Sequence, residues 1–297
     1  VAAAVTVAIP VLNGGPLLLE VLAAVNAQRL DRDVELLVCD SGSTDGSAEA
    51  AERAGARVLR IARGEFSHGG TRNLLAAEAR GEHVAFLTQD ATPAHDGWLA
   101  ALLGGFELAD DVALVTGPYL PRPDAPLPVR RELTEMFDAL AGGPRVYRLA
   151  DAGEPPRPGL ATYHSDADGA LAKGVWREVP FRAVPYAEDQ LLALDVLRAG
   201  YAKAFVPEAA VLHSHRYGAL EQMRRHYDEF RALREVFGHV ADAHPRRLAG
   251  HVRAQVRADR RYARERGFGA ESWRSLVYHA GRAVTAAAGS RSRWPGV

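Results

Sequence analysis

Apolar residues in the first third of the chain fall into short continuous runs, set between polar loops and stretches with helical spacing. Val5 to Ile9 alternates and then meets Pro10, which predicts a strand opening into the loop Pro10 to Pro16. Leu17 to Gln28 follows with apolar residues at helical spacing and Pro16 at a favourable helix start. Val34 to Val38 predicts a second buried strand, and Ala48 to Ala54 a helix leading to a third short strand at Val58 to Ile61. A further helix from about Thr71 to Ala79 feeds the run Val84-Ala85-Phe86-Leu87, which has the pattern of a strand buried on both faces. That run breaks into Thr88, Gln89 and Asp90 before Pro93 stops it. Strand, helix and strand at this spacing form a βαβ unit, so the class is α/β with a mostly parallel sheet and right-handed crossovers.

In open α/β sheets ligands bind at the carboxyl edge, and here the loops after Ile9, Val38 and Leu87 converge there with Phe66 to Arg72 beside them. Asp90, at the end of the last of these strands, is either a turn residue before Pro93 or a carboxylate able to hold a divalent cation against a phosphate. The arrangement suits a nucleotide. Neither G-x-G-x-x-G nor G-x-x-x-x-G-K-[ST] occurs, which weighs against a dinucleotide dehydrogenase and a P-loop enzyme.

Regular patterning weakens after Gly104. Val112 to Thr116 predicts a strand, and Pro118, Pro121, Pro123, Pro126 and Pro128 are expected to block regular structure behind it. Leu133 to Leu140 has helical spacing, Ala141 to Gly159 reads as a mobile loop, and Val184 to Gln190 opens a helix through Leu197. Tyr201 to Val206 and Ala209 to Leu212 predict the last short strands, followed by His213-Ser214-His215. Alternate residues of an extended segment face the same way, so both imidazoles can address one site or stand as two loop histidines. From Leu220 the pattern is helical, with Leu220, Met223, Tyr227 and Phe230 on one stripe. The stretches Pro245 to Arg266 and Ser272 to Ala288 mix arginine with apolar positions. Such a face packs on its own domain, on a second subunit as a homodimer, or on an anionic bilayer.

Composition adds limits more than direction. The chain has 297 residues, enough for one large domain or two small ones, and its formal charge of -1 gives no pull toward nucleic acid. Basic residues are nearly all Arg, with Lys only at Lys173 and Lys203. A lone Cys39 in an apolar run excludes a disulfide framework and a Cys-based zinc site, and a cytoplasmic setting follows most simply. No stretch reaches membrane-spanning length, and Val1 to Val11 lacks the charged leader of a signal peptide.

Longer strings carry a resemblance. Ile9-Pro10-Val11-Leu12-Asn13 and Asp40-Ser41-Gly42-Ser43-Thr44-Asp45-Gly46-Ser47 resemble the opening signatures of family 2 glycosyltransferases, which have the GT-A fold and use nucleotide-diphosphate sugars. Phe66-Ser67-His68-Gly69-Gly70-Thr71-Arg72-Asn73 and Phe86-Leu87-Thr88-Gln89-Asp90-Ala91 resemble the bacterial rhamnosyltransferase-like branch, and the likeness runs from about Val5 to Phe237. It implies an inverting, non-processive hexosyltransferase of polysaccharide or cell-wall biosynthesis, most simply one that passes rhamnose from dTDP-rhamnose to a glycan or lipid-linked acceptor, with another UDP- or GDP-hexose as the alternative. A sugar-1-phosphate nucleotidyltransferase and a non-catalytic sugar-nucleotide-binding protein are the rivals from other classes.

By the same resemblance Asp40 recognises the pyrimidine, while Pro10, Val11, Asn13, Ser41 and Gln89 line the nucleotide site. Arg72 contacts the base or diphosphate, and a guanidinium early in a helix is independently better placed for an anion than for the helix dipole. An Asx-turn competes for Asp40, helix capping for Asp45, and a plain loop position for His68, otherwise a donor contact. Asp90 with His213 or His215 implies a Mg2+ or Mn2+ site, although Thr88 stands where the family usually has the first Asp of D-x-D. The literal Asp166-Ala167-Asp168 does not read as the end of a buried strand and is expected in a polar loop, as an acceptor or sugar contact. Asp189 matches the family's general base and Glu188 a residue orienting it or the acceptor, whereas helix N-terminal charge accounts for both without catalysis. The expected organisation is 1–117 for nucleotide-sugar binding, 118–217 for acceptor binding and catalysis within the same GT-A domain, and 218–297 as a basic helical extension, peripheral at the inner face of the plasma membrane if it meets lipid.

Overall fold

In the computed structural model, residues 5–138, 140, 142–215, 217–269 and 272–292 are described. The elements in chain order are β1 (Val5–Val11), α1 (Gly15–Asn26), β2 (Val34–Asp40), α2 (Ser47–Arg53), β3 (Arg57–Arg60), α3 (His68–Glu78), β4 (His83–Leu87), β5 (Thr92–Pro93), α4 (Trp98–Gly104), β6 (Val112–Thr116) and β7 (Tyr119–Leu120). They continue with α5 (Leu127–Asp138), β8 (Arg145–Tyr147), β9 (Asp168–Ala172), α6 (Lys173–Glu178), α7 (Glu188–Arg198), β10 (Ala202–Phe205), β11 (Val211–Leu212), α8 (Ala219–Phe237), α9 (Pro245–Arg266) and α10 (Ser272–Gly289). Two compact units result, one of Val1–Leu120 with Ala139–His213 and one of Pro121–Asp138 with Ser214–Val297.

The first unit is built on an eight-stranded sheet of order β3-β2-β1-β4-β9-β6-β10-β8, with a small sheet β5-β11-β7. Strands β3, β2, β1 and β4 are parallel, as their βαβ spacing requires. The alternation of β1 explains the layering. Val5, Val7 and Ile9 join one core with Leu18, Val21 and Leu22 of α1 and with Trp98, Leu99 and Leu102 of α4. Ala8 faces the opposite core, with Leu75 and Ala76 of α3, Phe86, and Leu192 and Val196 of α7. Helices therefore cover both faces, and Phe86, fully buried between them, would cost about 3–5 kcal/mol on truncation to Ala.

Strand β9 was not legible as a strand. It pairs antiparallel with both β4 and β6, so Asp168 opens a central strand opposite Leu87 instead of lying in a polar loop. Two further expectations are corrected. The proline stretch does not bar regular structure throughout: β7 follows Pro118, and Pro128 sits in the first turn of α5, where a missing N–H costs nothing. The segment read as a mobile loop holds β8, the antiparallel edge strand beside β10; Ala141, at its start, lies outside the described residues.

The second unit is helical and is held by buried polar contacts. Arg131 of α5 donates to Asp259 of α9 at 2.5 Å, and His279 of α10 lies 2.8 Å from the other oxygen of that carboxylate. Glycine permits a close helix approach: a Cβ at Gly289 of α10 would collide with the Tyr227 carbonyl oxygen of α8. Among the described residues no helix is long and apolar enough to cross a membrane.

Candidate active site

The parallel strands of the first unit deliver three loops to one edge, and each is locked by side-chain to backbone bonds. Pro10 and Val11 lie within β1, paired with Cys39 and Asp40 of β2. Ser41 donates through both its N–H and its hydroxyl to the Val11 carbonyl, at 2.9 and 3.0 Å. Asn13 adopts a left-handed backbone, φ 50°, and its side-chain oxygen accepts from the Thr44 N–H at 2.9 Å. The Gln89 amide pairs with the backbone of Leu12, accepting at 2.8 Å and donating at 3.2 Å, so it ties the loop after β4 to that after β1. Asp45 accepts from Gly15 N–H and Ser47 N–H, each at 3.0 Å, and so serves the starts of α1 and α2 together.

Asp40 does make the Asx-turn: one of its oxygens accepts from Gly42 and Ser43 N–H, both at 3.1 Å. Its other oxygen is buried and has no hydrogen-bond partner among the described residues, an unusual state for a polar atom at a sheet edge.

Asp90 stands at the expected place past β4. Thr88, where a second carboxylate was missing, donates its hydroxyl to Asp90 Oδ1 at 2.8 Å and so holds the carboxylate's orientation. Nδ1 of His213 is 3.7 Å from the same oxygen, too far for a hydrogen bond and close enough for both to face one cation. His215 follows two positions later in the second unit, its ring stacked 4.7 Å from that of Tyr217.

Three carboxyl groups, Asp166, Glu188 and Asp189, gather around Arg72. Its Nε lies 2.5 Å from Asp166 and its Nη1 3.4 Å from Glu188, with all three side chains at most 8% exposed. His68, half exposed, sits 3.8 Å from Glu188. The guanidinium is thus held by carboxylates in this structure. Burial works against its charge, but Asp166, Glu188 and Asp189 raise its pKa above the ordinary arginine value. Asp189 follows at the start of α7, whose first N–H groups favour negative charge. Burial and the adjacent Glu188 nevertheless push Asp189 up to about 7, while Arg72 and the Gln190 N–H pull the other way. Asp166 is raised as well, by burial first, with Arg72 opposing and Asp189 and Glu188 adding to it.

Several residues that the sequence did not single out complete the site. Tyr119 of β7 packs edge-on against His213 at 4.9 Å between ring centres and donates its hydroxyl to Ser165, the neighbour of Asp166. It therefore links the Asp90–His213 pair to the Arg72 cluster. Asn73, next to Arg72, receives the Trp176 indole N–H at 2.8 Å and the Phe181 N–H at 3.0 Å, and donates to the Phe181 carbonyl at 2.8 Å. That clasp fixes the segment leading into Glu188 and Asp189. Beside them Asp168, which the sequence did single out, is fully buried, accepts from the Trp98 indole at 2.9 Å, and has its second oxygen unpaired among the described residues. His164, also buried, is lowered to about 3 by burial, with Lys203 and Arg72 adding to the effect, and so stays neutral beside Asp166. The signal for Tyr119 and Asn73 was weak, because both depend on partners about 46 to 108 positions away.

A sheet with helices on both faces, a carboxylate–imidazole pair past a strand end and a buried carboxylate cluster beside it make an α/β site suited to a nucleotide at the carboxyl edge of the strands. The sequence pattern of Glycosyl transferase family 2 matches residues 6–148. The chain is 33% identical over 233 residues to the O-antigen chain rhamnosyltransferase RfbN of Salmonella typhimurium, spanning 75% of this chain and 70% of that one. To WbaN, the corresponding rhamnosyltransferase of Salmonella anatum, it is 31% identical over 201 residues, 65% of this chain and 61% of the relative. It belongs to family 2 of the glycosyltransferases, in the rhamnosyltransferase-like branch. Among solved structures, a mannosyltransferase of Pyrobaculum calidifontis with GDP-Man and Mn2+ superposes with a TM-score of 0.61 at 18% identity, over 96% of this chain and 87% of that one. S. aureus TarS with UDP-GlcNAc gives 0.59 at 17% identity, over 77% of this chain and 65% of that one, so these two share the fold.

Proposed function

We propose that the chain transfers rhamnose from dTDP-rhamnose to a hydroxyl of a glycan or lipid-linked acceptor, in one inverting displacement on the cytoplasmic side. The observation that carries this reading is the continuous path from the Asp90–His213 pair through Tyr119 to the Arg72, Glu188 and Asp189 cluster. The rhamnosyl assignment is supported by the two O-antigen relatives.

Asp189 is the base. It accepts the acceptor's hydroxyl proton as the new oxygen–carbon bond forms and the bond from the anomeric carbon to the diphosphate breaks. A base pushed up to about 7 is matched to that task near neutrality, where general-base help is worth ~10²–10⁴-fold. Glu188, held by Arg72, orients the acceptor, and His68 faces the same carboxylate. The unpaired oxygen of Asp40 suits the N–H of a pyrimidine base. Pro10, Val11 and Asn13 shape the nucleotide wall, with Ser41 and Gln89 fixing it from behind. Asp166 and Asp168 act on the sugar or acceptor through the site's shape, since both are buried.

The donor pair of Asp90 and His213 fits Mg2+ or Mn2+: carboxylate oxygen and imidazole nitrogen are ligands that manganese accepts readily. Such an ion, when bound, supplies positive charge opposite the departing diphosphate.

The test is calorimetric titration with dTDP and UDP, with and without Mn2+, on wild type and Asp90→Ala, followed by nucleoside diphosphate release from dTDP-rhamnose and other donors. Metal-dependent binding that favours dTDP and disappears in the variant, with turnover of dTDP-rhamnose, supports the reading. Preferential turnover of a UDP- or GDP-hexose replaces the donor, and no nucleotide binding at all overturns the assignment.

A further inference from the structure

Lysine stands at only two places in a chain that otherwise uses arginine, and both amines are spent on backbone carbonyls. Lys173, half-buried, donates to the Ala77 and Ala79 carbonyls at the end of α3. Lys203 of β10 is the unusual one. It is 1% exposed, forms no ion pair among the described residues, and is pulled down to about 7 by burial alone. Its Nζ donates to the Leu160 carbonyl at 2.9 Å and lies 5.0 Å from the centre of the Tyr147 ring. An amine buried without a carboxylate costs stability that an apolar side chain in the same place would not, so packing does not account for it.

Leu160 opens the loop 160–167, and that loop leads to the catalytic carboxylates. Thr162 closes its base, accepting from the Gly159 N–H at 3.2 Å and donating to the Arg157 carbonyl at 3.0 Å. His164 is buried on the loop 3.8 Å from Asp166, with Gly169 of β9 against it, where a Cβ would collide with the imidazole. Burial keeps that imidazole neutral, and Lys203 adds to the effect. Ser165 receives the Tyr119 hydroxyl, and the Asp166 side chain pairs with Arg72.

The same loop acts on the base. Burial and Glu188 push Asp189 up, while Arg72 and the backbone N–H groups of Gln190 and Asp166 oppose them. The Gln190 N–H belongs to α7 and is fixed by the helix, but the Asp166 N–H is directed only as well as the loop that carries it.

We propose that Lys203 is a positioning residue for the transfer: by anchoring the Leu160 carbonyl it sets the loop that aims the Asp166 N–H at Asp189. The inference rests on Asp189 as the base. Lys203 itself touches neither donor nor acceptor; what the loop takes from it is one hydrogen bond delivered by a slender chain. Glu188 of α7, Arg72 of α3 and Asp166 also act on Asp189, with Tyr119 and Tyr163 nearby, and a change at Lys203 leaves their charges in place.

The full chain, carrying isotope-labelled aspartate, is titrated by NMR, with the Asp189 carboxyl assigned against Asp189→Asn. Its midpoint at about 7 should move to higher pH in Lys203→Met, where the loop loses its anchor. It should return in Lys203→Gln, whose amide still donates to a carbonyl. Release of dTDP from dTDP-rhamnose should fall about tenfold in Lys203→Met, as one lost hydrogen bond to a charged group implies, with calorimetric dTDP binding unchanged. Thr162→Val loosens the same loop at its other clasp and should move the midpoint the same way, so the test does not depend on how Lys203→Met folds. Circular dichroism checks each variant. A midpoint that neither Lys203→Met nor Thr162→Val moves overturns the inference. So does loss of dTDP binding in Lys203→Met, which would put the lysine at the donor, and so does a Lys203→Gln midpoint as displaced as that of Lys203→Met, which would make charge and not the hydrogen bond the cause. Undiminished turnover by Asp189→Asn would instead take away the base, and this inference with it.

Discussion

Among the described residues each unit contains a buried arginine–aspartate pair at 2.5 Å, Arg72–Asp166 in the first and Arg131–Asp259 in the second, and the two behave oppositely. Around Asp259 the charges are matched: burial works against its ionisation, but hydrogen bonds from His279, Arg131 and Ser275 hold its carboxyl below the ordinary range. Around Asp166 they are not. Glu188 and Asp189 crowd the same guanidinium, His164 stays neutral, and the Asp166 carboxyl is pushed up instead. The same pair of residue types is therefore a brace where every charge is answered, and a poised, proton-holding cluster where carboxylates outnumber cations. A buried ion pair alone says little about which it is.

The largest effect that would break this contrast is in the first unit. Asp189→Asn should lower turnover by ~10²–10⁴-fold while nucleotide binding persists. Because Asp189 is raised to about 7, the folded protein binds more protons than the unfolded chain between about pH 4 and 7, so stability falls as pH rises through that window. Removing that cost should make Asp189→Asn more stable than wild type at pH 8, by about 1–2 kcal/mol in denaturant unfolding. A variant that is both inactive and less stable would mean that the cluster is a brace after all.

In the second unit the sign reverses. Asp259→Ala leaves Arg131 buried without its carboxylate and should cost about 3–5 kcal/mol, read as a large drop in the thermal midpoint. The wild-type contribution is present above the ordinary carboxylate range and is lost as pH falls through the depressed value, so an acid titration should loosen this unit.

A smaller effect sharpens the role of Arg72. Turnover should rise with pH along a limb centred at about 7, where Asp189 loses its proton. Arg72 opposes the upward shift of Asp189, so Arg72→Gln should move that limb to higher pH, measured as kcat/KM against pH. An unmoved limb together with weakened nucleotide binding would instead assign Arg72 to the donor. The smallest effect belongs to Thr88→Val, which removes one hydrogen bond to Asp90 and should weaken Mn2+-dependent nucleotide binding by about 1 kcal/mol in calorimetry.

Much of the fold was readable in advance because its determinants are local. The runs at Val5, Val34 and Val84 and the helices between them needed only periodicity and the βαβ spacing to yield a parallel sheet with its ligand edge. The places of the candidate residues in the fold were legible too, since Asp90, Glu188 and Asp189 stand at element ends that patterning locates. Less legible was what these side chains touch. Nothing near Asn73 in sequence reveals that it clasps Phe181, and nothing near Thr88 shows that its hydroxyl steadies Asp90. Strand β9 escaped because Asp168-Gly169-Ala170-Leu171-Ala172 is short and begins with an acidic residue, whose partner at the centre of the sheet, the Trp98 indole N–H, lies 70 positions away.

By itself, then, the order of residues determined the α/β class, the parallel strands β1 to β4 and the family, because each rests on runs and spacings within some tens of residues. Tertiary structure alone decided which carboxylate is raised and which is depressed, that Tyr119 joins two clusters, and that α5 leaves the proline-rich segment to pack with the C-terminal helices. Charge interactions and burial depend on distances between residues far apart in the chain, and those distances exist only once the chain has folded.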